Sequence, residues 1–234
     1  MDPLTAFMVP DTVMATLILI GFGWLAFNRK WLSAAGALIA VLIGIITFNW
    51  SALTMVSGWG GLLPLFMFFF LAQGASYLGR RSRHAHETRG IANILGNGLA
   101  AMAALSVGWV AGFYAALSAA LSDTLSSELG LLSHSRPVLI TTLKTVPTGE
   151  NGAVSRMGLA AGVLGAALMG GLYFFVTADF RIALFIMISG FLGNLMDSVI
   201  GATLEREKLV DNMMTNFLAS LTAMVALALL TFLF

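Results

Sequence analysis

Apolar runs of helical length, separated by short polar stretches, follow one another along the whole chain. Segments almost free of charge fall at 10–28, 31–49, 60–79, 90–108, 109–131, 157–178, 182–204 and 211–233. A bilayer core about 30 Å thick needs about 20 helical residues to cross it. The pattern therefore predicts an all-α, polytopic transmembrane helical bundle of about eight spans. One boundary is weakly marked. No polar linker separates the runs at Gly108-Trp109, so either a tight turn reverses the chain there or the two runs fuse and seven spans remain.

Composition supports the membrane reading and narrows the chemistry. Of 234 residues 59% are hydrophobic and 10% charged, whereas about a quarter of a soluble domain is charged. So few charges cannot cover a water-exposed surface. A net charge of +1 leaves no basic footprint for nucleic acid. The sequence has no cysteine, which excludes disulfides, thiolate metal sites and a Cys nucleophile. With Asp2 and Asp11 and no basic n-region, the N-terminus does not resemble a removable targeting segment. Residues 1–234 read as a single integral membrane domain.

Charge placement predicts topology, because Lys and Arg collect in cytoplasmic loops. With eight crossings and both termini outside, the inner side receives Arg29, Lys30, Arg80, Arg81, Arg83, Arg89, Arg136, Lys144, Arg156, Arg206 and Lys208. Only Arg181 is left outside. Glu87, Asp123, Glu128, Glu150, Asp197, Glu205, Glu207 and Asp211 lie on the same inner side or just within it. Nearly all the chemistry is thus expected at a cytoplasmic face, in a multi-pass protein of a prokaryotic cell membrane.

Polar residues inside spans are costly, so each is either functional or a helix-packing contact. The fifth run ends Leu121-Ser122-Asp123-Thr124-Leu125-Ser126-Ser127-Glu128-Leu129-Gly130. Asp123 and Glu128 lie about 140° apart around a helix, so the helix must distort or end if both are to hold one ion. Such oxygen ligands suit Mg²⁺, which commonly joins one or two carboxylates to substrate phosphates; solvated acids at a helix end are the plainer reading. The seventh run places Gly190, Asn194, Asp197 and Gly201 on one small, polar stripe. Close helix packing and ligand approach both fit that stripe. Leu121-Ser122-Asp123-Thr124 and Leu195-Met196-Asp197-Ser198 echo one another, by chance or as a parallel repeat.

The remaining polar stretch runs from Arg136 to Arg156. Pro147, Gly149, Asn151 and Gly152 favour turns in which backbone N–H groups can face an anion, and the loop enters the N-terminus of the sixth span. Lys144, Thr148 and Arg156 add side-chain donors. A simple connecting turn has the same composition. Asn93 and Asn97 in the fourth span, and Asn212, Asn216 and Ser220 in the eighth, form further stripes that could serve a pocket or join helices. Arg89 could bind phosphate or merely follow the positive-inside rule. His84, His86 and His134 read as solvated loop histidines.

Taken in order, four blocks resemble the signatures of the integral membrane phytyl-phosphate kinase family of the vitamin E pathway and its prokaryotic relatives. They are Arg89-Gly90-x-x-Asn93-x-x-x-Asn97-Gly98, Asp123-Thr124-x-x-Ser127-Glu128-x-Gly130, the loop from Pro137 to Ser155, and Gly193-x-x-x-Asp197-Ser198-x-x-Gly201-Ala202-Thr203. The resemblance covers about residues 85–234, the loop being its most specific part; residues 1–84 match only in hydrophobicity. Two positions depart from the family: Leu125 replaces an aromatic residue, and Glu150 puts a negative charge among the phosphate-binding positions.

The resemblance implies phosphorylation of an isoprenoid monophosphate, such as phytyl or geranylgeranyl phosphate, to the diphosphate with CTP or another nucleoside triphosphate. It also implies a part in tocopherol and phylloquinone synthesis or salvage. It assigns Asp123, Glu128 and Asp197 to Mg²⁺ and its phosphates, and Lys144, Arg156 and Arg89 to phosphate charge. Thr148, Gly149, Asn151 and Gly152 would cradle phosphate or nucleotide, with Asn93, Asn97, Thr141, Ser155 and Asn216 in support. The implied partners are the bilayer, the lipid phosphate and the nucleotide, and a homo-oligomer is compatible. A transporter or channel with intramembrane acids, or a membrane cytidylyltransferase, are the competing readings.

Overall fold

The structure, a computed structural model, describes residues 3–53, 58–80 and 90–234. Among these residues there are eight helices: α1 (Pro3–Asn28), α2 (Ala34–Leu53), α3 (Gly58–Arg80), α4 (Ile91–Ser106), α5 (Val110–Gly130), α6 (Arg156–Thr177), α7 (Phe180–Ile200) and α8 (Asn212–Leu233). The tight turn expected between the fourth and fifth runs is present, and the two runs form separate helices and not one fused helix. Gly108 takes φ +75°, a conformation open to glycine at little cost. The turn is closed by Gly108 N–H donating to Leu105 O (2.9 Å) and Trp109 N–H to Ala104 O (2.9 Å).

Helix starts and stops follow local chemistry. Ser155, Asp179 and Asp211 cap α6, α7 and α8, their side-chain oxygens accepting from the N–H groups of Gly158, Ile182 and Met214. Ala178, at φ 57°, ends α6 in the left-handed region. The end of α7 widens into a π-helical turn, Gly201–Glu205, a distortion often found at functional sites.

The distribution of polarity is that of a membrane bundle. Trp24 (68% exposed), Phe175 (82%) and Phe232 (86%) face outward, while Ser118 (0%), Asn194 (1%) and Ser220 (1%) are enclosed. In hydrocarbon there is no hydrophobic penalty for outward apolar side chains, and polar groups gain by pairing between helices. Five helices are long and apolar enough to cross a membrane, and Ala34–Trp50 and Ile91–Ser106 form shorter apolar helices. The protein is a polytopic helical membrane protein.

The most polar helix, α5, stands at the centre and packs against α3, α4, α6, α7 and α8. Small residues permit this. A Cβ on Gly162 or Gly165 of α6 would come within 3.2 Å of α5, and one on Gly190 of α7 would overlap Ser118. Ser122 Oγ donates to Gly162 O (2.8 Å) and Ser220 Oγ to Ala116 O (3.4 Å), tying α6 and α8 to α5. The packing half of the expectation for the 190–201 stripe is thus satisfied directly.

The loop from Leu131 to Ser155 folds back on itself. Val138–Leu139 pairs antiparallel with Ala153–Val154, and Val138 also bridges Thr145. Gly152, at φ +73°, lies against α7: a Cβ there would stand 2.4 Å from Ala202 Cβ and N and 2.5 Å from Ser198 O. This contact seats the loop over the end of the bundle where α3, α5 and α7 end and α4, α6 and α8 begin.

Candidate functional site

At that end lies a cavity of about 630 Å³, walled by α4, α5, α7, α8 and the loop. The four signature blocks, separated by up to a hundred residues in sequence, meet here. Asn93, Asn97, Asp123, Glu128, Thr148, Gly149, Asn151, Gly152, Ser155, Asp197 and Asn216 all line it.

Each wall has a local origin. Helical spacing puts Asn93 and Asn97 on one face of α4, where Asn97 Nδ2 donates to Asn93 O (2.9 Å). Asn216 enters from α8, which approaches α4 closely because a Cβ on Gly96 would stand 2.9 Å from Met213 O. Asp123 and Asp197 come from helices running in the same direction, and the echo between their sequences ends with the two carboxyl groups within hydrogen-bonding reach of one another. Glu205 acts electrostatically on both and Glu128 on Asp123.

The expected set of three metal-binding carboxylates is divided. Among the described residues no group of three or more acid or imidazole side chains converges as a metal cage. α5 stays helical through Gly130, so Glu128 points away from Asp123 toward α3, where its Oε1 accepts a 2.6 Å hydrogen bond from Ser76 Oγ. Asp123 and Asp197 remain as a facing pair. Oδ2 of Asp197 is buried without a hydrogen-bond partner. Two facing carboxylates with an unpartnered buried oxygen fit a divalent cation that completes its shell with phosphate and water.

The cationic part of the expectation is placed elsewhere. Lys144 and Thr141 lie on the exposed hairpin, and Arg156 is exposed at the first turn of α6; none of the three lines the cavity. The hairpin's pairing carries them outward, with Leu139 N–H donating to Lys144 O (2.9 Å). Arg89 falls outside the described residues, as do His84 and His86. His134 is exposed. Ser155 faces the cavity but caps α6, accepting from Gly158 N (3.1 Å) and donating to Gly130 O (3.5 Å).

Glu205 is the residue that sequence reasoning missed. Its Oε1 accepts from Asn151 Nδ2 (3.0 Å) and its Oε2 from Thr215 Oγ1 (3.0 Å), so it joins loop, α7 and α8. The signal was present: Glu205 is four residues beyond Gly201, continuing the stripe of Gly190, Asn194 and Asp197. Beside it Glu150, the family departure, forms an ion pair with Arg206 (3.7 Å).

The described lining therefore holds Asp123, Glu128, Glu150, Asp197 and Glu205 and neither Lys nor Arg. An acidic, hydroxyl- and amide-rich cavity of this kind accepts phosphate only together with a cation. Thr124, Ser126, Ser127, Ser198 and the backbone of the 148–152 turn supply further polar groups around it.

Comparison with known proteins gives the family. The family described as "Integral membrane protein DUF92" matches residues 17–224. Uncharacterized membrane protein MJ0933 of Methanocaldococcus jannaschii is 37% identical over 174 residues, covering 70% of this chain and 73% of the relative. Uncharacterized membrane protein sll0875 of Synechocystis is 34% identical over 199 residues, covering 76% and 74% respectively. Protein VTE6, chloroplastic, of Arabidopsis thaliana is 28% identical over 226 residues, covering 86% and 66%. No solved structure matches the chain. The matched span includes every signature block that meets at the cavity, and the chain belongs to the DUF92 integral membrane family.

Proposed function

We propose that this protein is a membrane kinase that transfers the terminal phosphoryl group of a nucleoside triphosphate, CTP by family resemblance, to an isoprenoid monophosphate such as phytyl or geranylgeranyl phosphate. The observation that carries this reading is the facing Asp123–Asp197 pair in a polar cavity at one end of an otherwise apolar bundle. A lipid phosphate can keep its tail among the helices and present its head there. The concentration of basic residues in the loops at that end supports a cytoplasmic orientation, in which nucleotide is plentiful.

The chemistry makes small demands on the protein. An oxygen of the acceptor phosphate bonds to the γ-phosphorus, the bond from that phosphorus to the β-bridging oxygen breaks, and the nucleoside diphosphate leaves with that oxygen. The acceptor is already anionic, so no general base is needed. Positioning and charge neutralisation provide the acceleration. Asp123 and Asp197 would hold Mg²⁺, which when bound supplies neutralising charge for the phosphates. Asn93, Asn97, Asn216 and the turn at Thr148–Gly152 orient phosphate oxygens. Glu205 fixes Asn151 and Thr215, and Ser76 fixes Glu128.

Product analysis tests the reading. Purified protein given CTP, Mg²⁺ and geranylgeranyl monophosphate is expected to form CDP and geranylgeranyl diphosphate in equal amounts. Release of pyrophosphate with a cytidylylated lipid would replace the kinase by a cytidylyltransferase.

A further inference from the structure

A second cavity, of about 110 Å³, opens between α1, α2, α3 and α4 and touches α5 at Leu117. Its wall is apolar apart from two residues, Asn93 and Asn97, and these same residues line the acidic cavity. Polar and apolar chambers thus meet at one pair of amides. In its wall Phe66 and Phe69 of α3 pack edge-on against Phe22 of α1, with ring centroids 5.2 and 4.9 Å apart.

We infer that this aromatic chamber is the tail site of the phosphate acceptor and that it holds the head-proximal isoprene units. The inference rests on the kinase reading for the identity of the head group. Adjacency selects the occupant: the two chambers share Asn93 and Asn97, and a phosphate on an apolar chain matches one chamber with its head and the other with its tail. The wall selects the kind of chain: rigid, interlocked rings offer fixed recesses, which suit a methyl-branched, partly unsaturated tail better than a straight one. The chamber is much smaller than the polar cavity, so the distal units continue among the lipid chains. On this assignment α1–α3, which carry none of the signature blocks, determine tail specificity.

The test uses the full chain in nanodiscs and does not require turnover. Geranylgeranyl monophosphate carrying a diazirine on its second isoprene unit is photolysed, and the labelled peptides are mapped. Labelling is expected in α1–α4 around Phe66, Phe69 and Ile94 and is competed by unlabelled geranylgeranyl monophosphate. Labelling confined to the outer faces of α6 and α8, or unchanged by competitor, overturns the site. Equal, competed labelling by a diazirine-bearing hexadecyl phosphate overturns the choice of an isoprenoid. Labelling as expected without phosphoryl transfer retains the tail site and rejects the kinase; transfer with labelling elsewhere does the reverse.

A variant gives a second reading. Gly98 lines the chamber, and a Cβ there would meet only Ile43 Cδ1, at an ordinary contact distance of 3.6 Å, so a side chain at this position starts in chamber space. Gly98→Leu is expected to lower competed labelling by at least about tenfold, the scale at which a hydrophobic pocket discriminates a single methylene. Undiminished labelling in this folded variant overturns the inference.

Discussion

Asp123 and Asp197 are the residues on which the proposed chemistry depends. Each was visible in the sequence because an acid within an apolar run is costly unless it has a task. Their mutual contact was only hinted at by the echo of Leu-Ser-Asp-Thr and Leu-Met-Asp-Ser. Asp123→Asn and Asp197→Asn keep size and hydrogen bonding while removing charge. Each should reduce transfer by at least about a hundredfold, the scale of losing one electrostatic contact to a transition state. Unchanged helical circular dichroism and gel-filtration profile would show that the fold persists; activity surviving both changes would sink the metal assignment. Lys144 makes the opposite case. A lone Lys in a polar loop looks like a phosphate ligand in sequence, but the hairpin turns it outward, so Lys144→Ala should alter unfolding free energy by less than about 0.5 kcal/mol, as surface changes do. Its transfer rate should fall far less than that of Asp197→Asn. A loss as large as that of Asp197→Asn would mean that the hairpin closes onto the cavity during turnover.

Among the elements, the helices were legible because periodic apolar runs and their caps are local signals. The loop's internal pairing was not, since strands of two residues leave no alternating pattern. Nor was the π-helical turn, whose consequence is to bring Glu205 back to the cavity rather than releasing it with the loop charges. Gly152 joins the two features. Placing Cβ there combines a left-handed backbone, which costs an ordinary residue about 1–2 kcal/mol, with overlap onto Ala202 and Ser198 O. Gly152→Ala should therefore lower the thermal midpoint in detergent and open residues 137–155 to limited proteolysis. Wild-type stability and protection would show that the loop is not held through this contact.

On the scale of the whole molecule, the class was evident from hydropathy, while the arrangement was not. Periodicity cannot tell which span is central, and here the most polar one is enclosed by five others. The turn at Gly108 decides eight helices over seven through a backbone conformation that carries no hydropathy signal. The positive-inside asymmetry predicts an orientation with the cavity at the cytoplasmic face, and the absence of cysteine from the sequence makes that prediction directly testable. Single cysteines replacing Lys144 and Lys208 should react with an impermeant maleimide only from the cytoplasmic side, and one replacing Phe232 only from the outside. The reverse pattern would place the cavity away from cytoplasmic nucleotide.

The most direct test of the central claim is a single-turnover experiment with CTP labelled in its γ-phosphate, Mg²⁺ and geranylgeranyl monophosphate. With wild-type protein the label should appear in geranylgeranyl diphosphate, and Asp197→Asn should leave it in CTP. Absence of labelled lipid with CTP, ATP, GTP and UTP alike, from folded wild-type protein, would contradict the account.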